Sequence, residues 1–205
     1  MDHDLGSALV GAKVDPFAAT YQCQAIQGPG AAAKEFVKSL QGHGQQDGRW
    51  VDEDSATEHP TVGEAVACVL TDGRTPPFAP GSFDLVLVDA PCSGTGTLRR
   101  HPEIKWRLEP RRIDELAALQ RRLLAAAAEL VAPTGLLIYA TCSVEAEENE
   151  QVVEALEACF ASADLTPRLP EGLPWLATPT GGVRILPHEH GDGFTVHAFR
   201  RQGVA

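Results

Sequence analysis

Cys92 and Cys142 occupy matching places in the chain. Each follows an apolar run that reads as a buried strand, "FDLVLV" before the first and "LLIYA" before the second, and each is followed by a serine. Asp89 opens the stretch "DAPCSGTG", in which the chain leaves a strand on a carboxylate, a proline and a thiol and then turns through glycines. Either cysteine alone reads most simply as a small buried hydrophobe. Two at equivalent strand ends, with a carboxylate beside one of them, form a set that can do chemistry. Carbon-5 of cytosine is too weak a nucleophile to attack a methyl sulfonium unaided. A thiolate adding to carbon-6 makes the ring enamine-like, which is covalent catalysis that splits one hard step into two. A carboxylic acid at the ring nitrogen stabilises the adduct by sharing a proton. A second thiol then assists release of the first.

Such a set works only if the strands end side by side. The run from Phe83 to Val88 is a strand, and apolar residues at helical spacing from Ile113 to Val131 predict a helix. Pro133-Thr134-Gly135 stops that helix and leads into the strand that finishes at Thr141-Cys142-Ser143. "EAEENEQVVEALEACFASA" predicts a second helix, with acids crowding its first turn where the macrodipole favours them. Ala65 to Leu70 reads as an earlier strand, followed by the proline-rich turn "TDGRTPPFAPGS". Strand, helix, strand, helix with continuous apolar strands predicts a parallel sheet covered on both faces. Ligands of such sheets sit beyond the carboxyl ends of the strands. Neighbouring strands lie about 4.8 Å apart, so both thiols would face one crevice with Asp89. "GGVRILPHEHGDGFTVHAFRR" predicts a closing antiparallel pair. Residues 1–60, rich in Gly, Gln, Asp and small side chains, predict a loosely ordered leader with one short helix around Ala31 to Leu40. Residues 61–205 form the patterned part.

Composition bounds the possibilities. With 205 residues, 43% of them hydrophobic, the chain can build one sizeable core. No apolar stretch approaches the roughly 18 residues of a membrane span, and no signal peptide opens the sequence, which predicts a soluble, cytoplasmic protein without a membrane partner. Five unevenly spaced cysteines predict free thiols in a reducing compartment. A net charge of −11 argues against nonspecific polyanion binding, yet the segment from Arg99 to Arg122 carries eight Lys/Arg against four acids. That excess reads either as a solvated helix face or as a phosphate-contacting patch. "SGTGT" lacks the Gly-Lys-Ser/Thr ending of a P-loop. His188 and His190 lack a nearby third ligand, so no metal is expected. Trp50, Trp106 and Trp175 are too scattered for a base-stacking platform and read as packing residues.

Four motifs in order, "LTDGRTPPFAPGSFD", "DAPCSGTGTLRRHPEIKWR", "YATCS" with "EENE" after it, and "RILPHEHGDGF", resemble the Sun (Fmu) family of RNA (cytosine-5)-methyltransferases, in particular the bacterial 16S rRNA enzymes. The resemblance runs from Val62 to Arg201. It implies a Rossmann-like class I methyltransferase fold, α/β, with a mostly parallel sheet and a C-terminal antiparallel strand pair. It implies S-adenosylmethionine as cofactor and RNA, of the small ribosomal subunit, as partner. By the same resemblance Cys142 is the attacking nucleophile, Cys92 the thiol that assists product release, and Asp89 the group against the cytosine and the methyl donor. Asp72 and Pro91 join Asp89 at the cofactor, and Arg99, Arg100, Lys105 and Arg107 become an RNA-facing surface. The family's N-terminal RNA-binding domain has no counterpart here, nor has its Gly-rich cofactor loop of the type "AAPGGKT". "CQAIQGPGAAAK", Cys23 to Lys34, is the nearest candidate for that loop. No acid-tipped strand lies between it and Asp72. The fold is therefore expected to be truncated at its N-terminal, cofactor half, leaving Ala65–Leu70 either orphaned or slid against Phe83–Val88. The corresponding alternative function is a catalytically inactive fragment that keeps an RNA-binding or interaction surface.

Overall fold

A computed structural model describes the backbone of residues 7–13, 21–27 and 66–71, and backbone with side chains for 72–156, 159–189 and 191–202. Strand β4 (Phe83–Asp89) is central, and Phe83 and Leu85 to Val88 are all buried, as expected of a strand covered on both faces. It pairs in parallel with β1 (Ser7–Lys13) on one side and β5 (Val131–Thr141) on the other. Between β4 and β5 the chain crosses over through two helices, α1 (Ile104–Arg107) and α2 (Pro110–Leu130). Proline at the first position of α2 suits a helix start, where its missing N–H has no partner to lose. Leu116, Ala117, Gln120, Leu123, Leu124, Ala127 and Ala128 recur at helical spacing and form its buried stripe. Part of that stripe joins Val86, Val88, Leu137, Tyr139 and Val152 in the main core, where each large apolar side chain contributes about 1.5–3 kcal/mol.

On its far side β5 pairs antiparallel with β9 (Phe194–Arg201), which carries β6 (Phe160–Ser162) and β8 (Val183–Ile185); β7 (Trp175–Ala177) follows β8. The antiparallel β8–β9 pair is the closing pair expected from the glycine-rich C-terminal segment. The sheet order is β3-β2-β1-β4-β5-β9-β8-β7, with β2 (Tyr21–Gln27) and β3 (Val66–Thr71).

Three expectations change. Parallel pairing, expected through most of the sheet, is confined to β1–β4 and β4–β5, because a hairpin of leader residues adds β2 in the opposite direction and the C-terminal strands add antiparallel pairs. The strand at Val66–Thr71 is neither orphaned nor against β4. The leader, read as loosely ordered, supplies β1 and β2, which lie between β3 and β4. The helix proposed around Ala31–Leu40 lies outside the described residues. Third, the acid-rich segment after β5 is not one long helix. A 3-10 turn (Ala146–Glu148) gives way at Asn149, with φ −125° and ψ −87°, to the single-turn α3 (Glu150–Val153). Asn149 is fully buried, donating its side-chain N–H to Ser143 O and Glu145 O and accepting from Thr141 Oγ1, so its role as a tie overrides helical continuity. Among the described residues, no helix is long and apolar enough to cross a membrane.

Candidate active site

The parallel register that pairs Asp89 with Ala140 brings the ends of β4 and β5 level, and the two chains leave the sheet together. Beyond them Cys92 Sγ lies 3.1 Å from Cys142 Sγ. Both are free, half-buried thiols, and the separation is well beyond the ~2.05 Å of a disulfide, so the pair shares a proton rather than a bond. The hydrogen bond to Cys142 pushes the Cys92 thiol well above its ordinary range, with burial and the charges of Cys142 and Glu148 acting in the same sense. Either sulfur can donate in this contact, and the shift favours a protonated Cys92.

A buried polar network holds this pair. Glu148, fully buried, accepts from Ser93 N (2.8 Å), Ser93 Oγ (2.5 Å) and Gln120 Nε2 (3.1 Å), while Gln120 Nε2 also donates to Pro91 O (2.7 Å). The residues on either side of Cys92 are thus fixed from below by α2 and by the turn after β5. Tyr139 Oη donates to Glu148 O (2.7 Å), tying that turn back to β5. On the Cys142 side, Gly96 N donates to Cys142 O (3.0 Å) and Gly193 N to Gly96 O (2.8 Å), so three loops interlock. A Cβ on Gly96 would stand 2.2 Å from Gly193 O, which is why glycine is required there. Gly94, at φ +76°, takes the turn's left-handed position.

The model of the 16S rRNA methyltransferase RsmB/F family matches residues 56–200. The chain belongs to this family. Ribosomal RNA small subunit methyltransferase B of Enterobacter sp. (strain 638) is 47% identical over 130 residues, 60% of this chain and 28% of that protein. The protein of the same name from Yersinia pseudotuberculosis serotype O:1b (strain IP 31758) is 44% identical over 126 residues. The chain thus spans under a third of the length of these relatives. Among solved structures, PH0851 superimposes with a TM-score of 0.57 at 36% identity, covering 64% of this chain and 30% of that one. NSun6 from Pyrococcus horikoshii with SFG gives 0.60 at 23% identity over 84% of this chain and 45% of that one, a likeness of fold. The architecture is that Rossmann-like methyltransferase fold.

For a member of the RsmB/F family the placement of the expected residues is uneven. Asp89, Pro91, Cys92 and Cys142 come together at one sheet edge. Asp72 follows β3 at the same edge, three strand positions from β4 and so roughly 14 Å across the sheet. Arg74 engages both of its carboxylate oxygens at 2.5–3.0 Å and holds its pKa at about 2. Arg99 and Arg100 leave the thiol loop but turn to Asp192, Arg100 through Nε at 2.5 Å and Arg99 at 3.6 Å, and so brace the loop against the β8–β9 connection. Lys105 and Arg107 are exposed on α1. Trp106, read as a packing residue, is 81% exposed, and Trp175 is 37% exposed; Trp50 lies outside the described residues. Sequence reasoning missed Glu148, Gln120 and Ser93 as the supports of the pair. Among the described residues no group of three His, Cys, Asp or Glu is placed to hold a metal.

The thiol end of the sheet is described, whereas much of the leader is not. β2 is antiparallel to β1, and its last residue, Gln27, pairs with Ser7 at the start of β1. The rest of the candidate cofactor loop, Gly28 to Lys34, lies outside the described residues. The position beside β4 belongs to β1, and the residues after it, "VDPFAAT", contain no glycine. No backbone cradle for S-adenosylmethionine is formed by the described residues.

Proposed function

We propose that this chain carries the cytosine-activating half of an RNA (cytosine-5)-methyltransferase site acting on small-subunit ribosomal RNA, the substrate class named for its relatives. The observation that supports it most is the Cys92–Cys142 thiol pair at the ends of adjacent parallel strands. Cys142 as a thiolate forms a bond to carbon-6 of the cytosine, and the ring's electron pair moves toward nitrogen-3, where Asp89 shares a proton. Cys92, whose proton is held firmly, donates a hydrogen bond to the Cys142 sulfur before attack and protects it as a leaving group afterwards. The carbon-5 proton then passes to water, its bonding pair re-forms the carbon-5–carbon-6 double bond, and the carbon-6–sulfur pair leaves with Cys142 as thiolate. S-adenosylmethionine supplies the methyl cation in enzymes of this kind, and no step here is assigned to residues holding it. A second reading is a catalytically inactive fragment that keeps an RNA-binding or interaction surface, which the basic segment from Arg99 to Arg122 in a chain of net charge −11 supports.

Replacing the cysteines separates the two. C92A incubated with a small-subunit rRNA fragment, with and without S-adenosylmethionine, is expected to accumulate a protein–RNA adduct on a denaturing gel that C142A does not form. Absence of the adduct under both conditions removes the catalytic role and leaves the RNA-binding reading. Calorimetric titration with S-adenosylmethionine is expected to give weak or no binding; micromolar binding would mean that the leader completes a donor site.

A further inference from the structure

Trp106 is the most exposed large apolar side chain among the described residues. A tryptophan left in water forgoes the burial that makes this side chain a dominant contributor to cores and interfaces. Its surroundings are cationic. Lys105 Nζ sits 4.6 Å from the centre of the indole ring, and Arg107 follows on the same exposed surface. This surface belongs to the segment from Arg99 to Arg122, which carries a net excess of four positive charges in a chain of net charge −11. A basic rim around an aromatic face, inside an otherwise acidic protein, complements a polyanion that also offers flat rings.

Ile104 faces the thiol loop: a Cβ placed on Gly94 would lie 3.3 Å from Ile104 Cδ1. Trp106 is two residues further along α1, and the helix is closed by Leu108 N donating to Ile104 O at 2.9 Å. About 200° further round the helix from Ile104, the Trp106 indole stands on its exposed side. We propose that Trp106 stacks on an unpaired base of the bound RNA, with Lys105 beside the ring and Arg107 adding positive charge toward the flanking phosphates, so that the chain selects single-stranded or looped RNA over duplex. This rests on the RNA reading given above and adds to it a residue and a strandedness preference. Bases in a duplex have their faces covered by neighbours and cannot accept the indole, whereas every unpaired base has a free face.

The test uses the full chain, a fluorescein-labelled 12-nucleotide single-stranded RNA, the same RNA annealed to its complement, and anisotropy at several salt concentrations. W106A is expected to weaken single-strand binding at least fivefold, the low end of what stacking on one base contributes. W106F is expected to retain most of it. Duplex affinity and the salt dependence of single-strand binding should not change in either variant, because no charge is removed. K105Q should reduce the salt slope instead. Single-strand affinity of W106A within twofold of the parent overturns the proposal, as does equal weakening for both RNAs. Unchanged RNA binding with a lower solution mass for W106A by light scattering also overturns it and makes the face a protein interface. A parent chain that binds neither RNA removes the RNA reading itself, an outcome distinct from failure at Trp106 alone.

Discussion

Two loops in this chain follow strands and are built from glycine, proline and small residues: "APCSGTG" after β4 and "GPGAAAK" after β2. By composition either suits close approach to a ligand. β4 runs parallel to its neighbours and delivers its loop to the edge where β5 also ends, while β2 runs antiparallel to β1 and ends at Gln27 beside Ser7, the residues after it lying outside the described ones. Strand direction, which loop composition does not encode, brings the first of them to the thiol site. The first loop is also tied down, by Glu148 and Gln120 from beneath and by Gly193 from the side, whereas nothing in the register of β2 brings the second toward the thiols.

The largest expected effect tests whether the first loop depends on its buried carboxylate. E148A leaves Ser93 N, Ser93 Oγ and a Gln120 N–H without their acceptor in a dry site, and is expected to cost about 3 kcal/mol or more in urea unfolding. E148Q keeps the volume and costs less, about 1–2 kcal/mol, because one amide N–H is forced to face donors. It also removes a negative charge that helps to raise Cys92. The Cys92 thiol should then titrate at lower pH, read as an earlier rise in iodoacetamide alkylation of a C142A background. The folded pKa of Cys92 exceeds its ordinary 9.0, so the stability it contributes is complete below about pH 9 and is lost as pH climbs through the folded value. In E148Q that alkaline loss should become smaller. An unchanged alkylation profile would mean that Glu148 acts on Cys92 by position alone.

Next in size is G96A. The added methyl would overlap Gly193 O and crowd Cys142 O, and the loops must part to accept it, at an expected cost of about 1–3 kcal/mol. Since Gly96 N also holds Cys142 O, the thiols should separate and Cys92 should lose part of its elevation. Full retention of both stability and the Cys92 profile would show that the three loops are not rigidly joined.

Much of the thiol site was legible in the sequence because it depends on period and order. Apolar runs ending at Asp89 and at Thr141, joined by one helical crossover, are enough to place Cys92 and Cys142 side by side. Glu148 was not legible. Four acids stand from Glu145 to Glu150, two of them buried, and that Glu148 turns toward the thiol loop is set by the break at Asn149, a tertiary tie that helical patterning does not anticipate. β1 and β2 escaped notice because "SALVGAK" and "YQCQAIQ" are short and weakly apolar and acquire their strand character from β4 and β3 as partners. Trp106 was misjudged for a related reason: "HPEIKWR" does not reveal that Ile104 takes the inward position and leaves the ring outside.

The smallest expected effect closes the comparison. Gly30 lies in the second loop, where an AAPGGKT-like reading would require backbone without side chains near the donor. If β2 sends that loop to the far edge, G30A has no ligand to obstruct. Stability, Cys92 alkylation and adduct formation by C92A should then all match the parent within error, in contrast to G96A. A loss of adduct formation in G30A comparable to that in G96A would mean that the loop reaches the thiol edge after all, and that strand direction is not what separates the two. The paired alanine substitutions therefore measure the same property, tolerance of one methyl group, at two glycines that composition alone cannot tell apart.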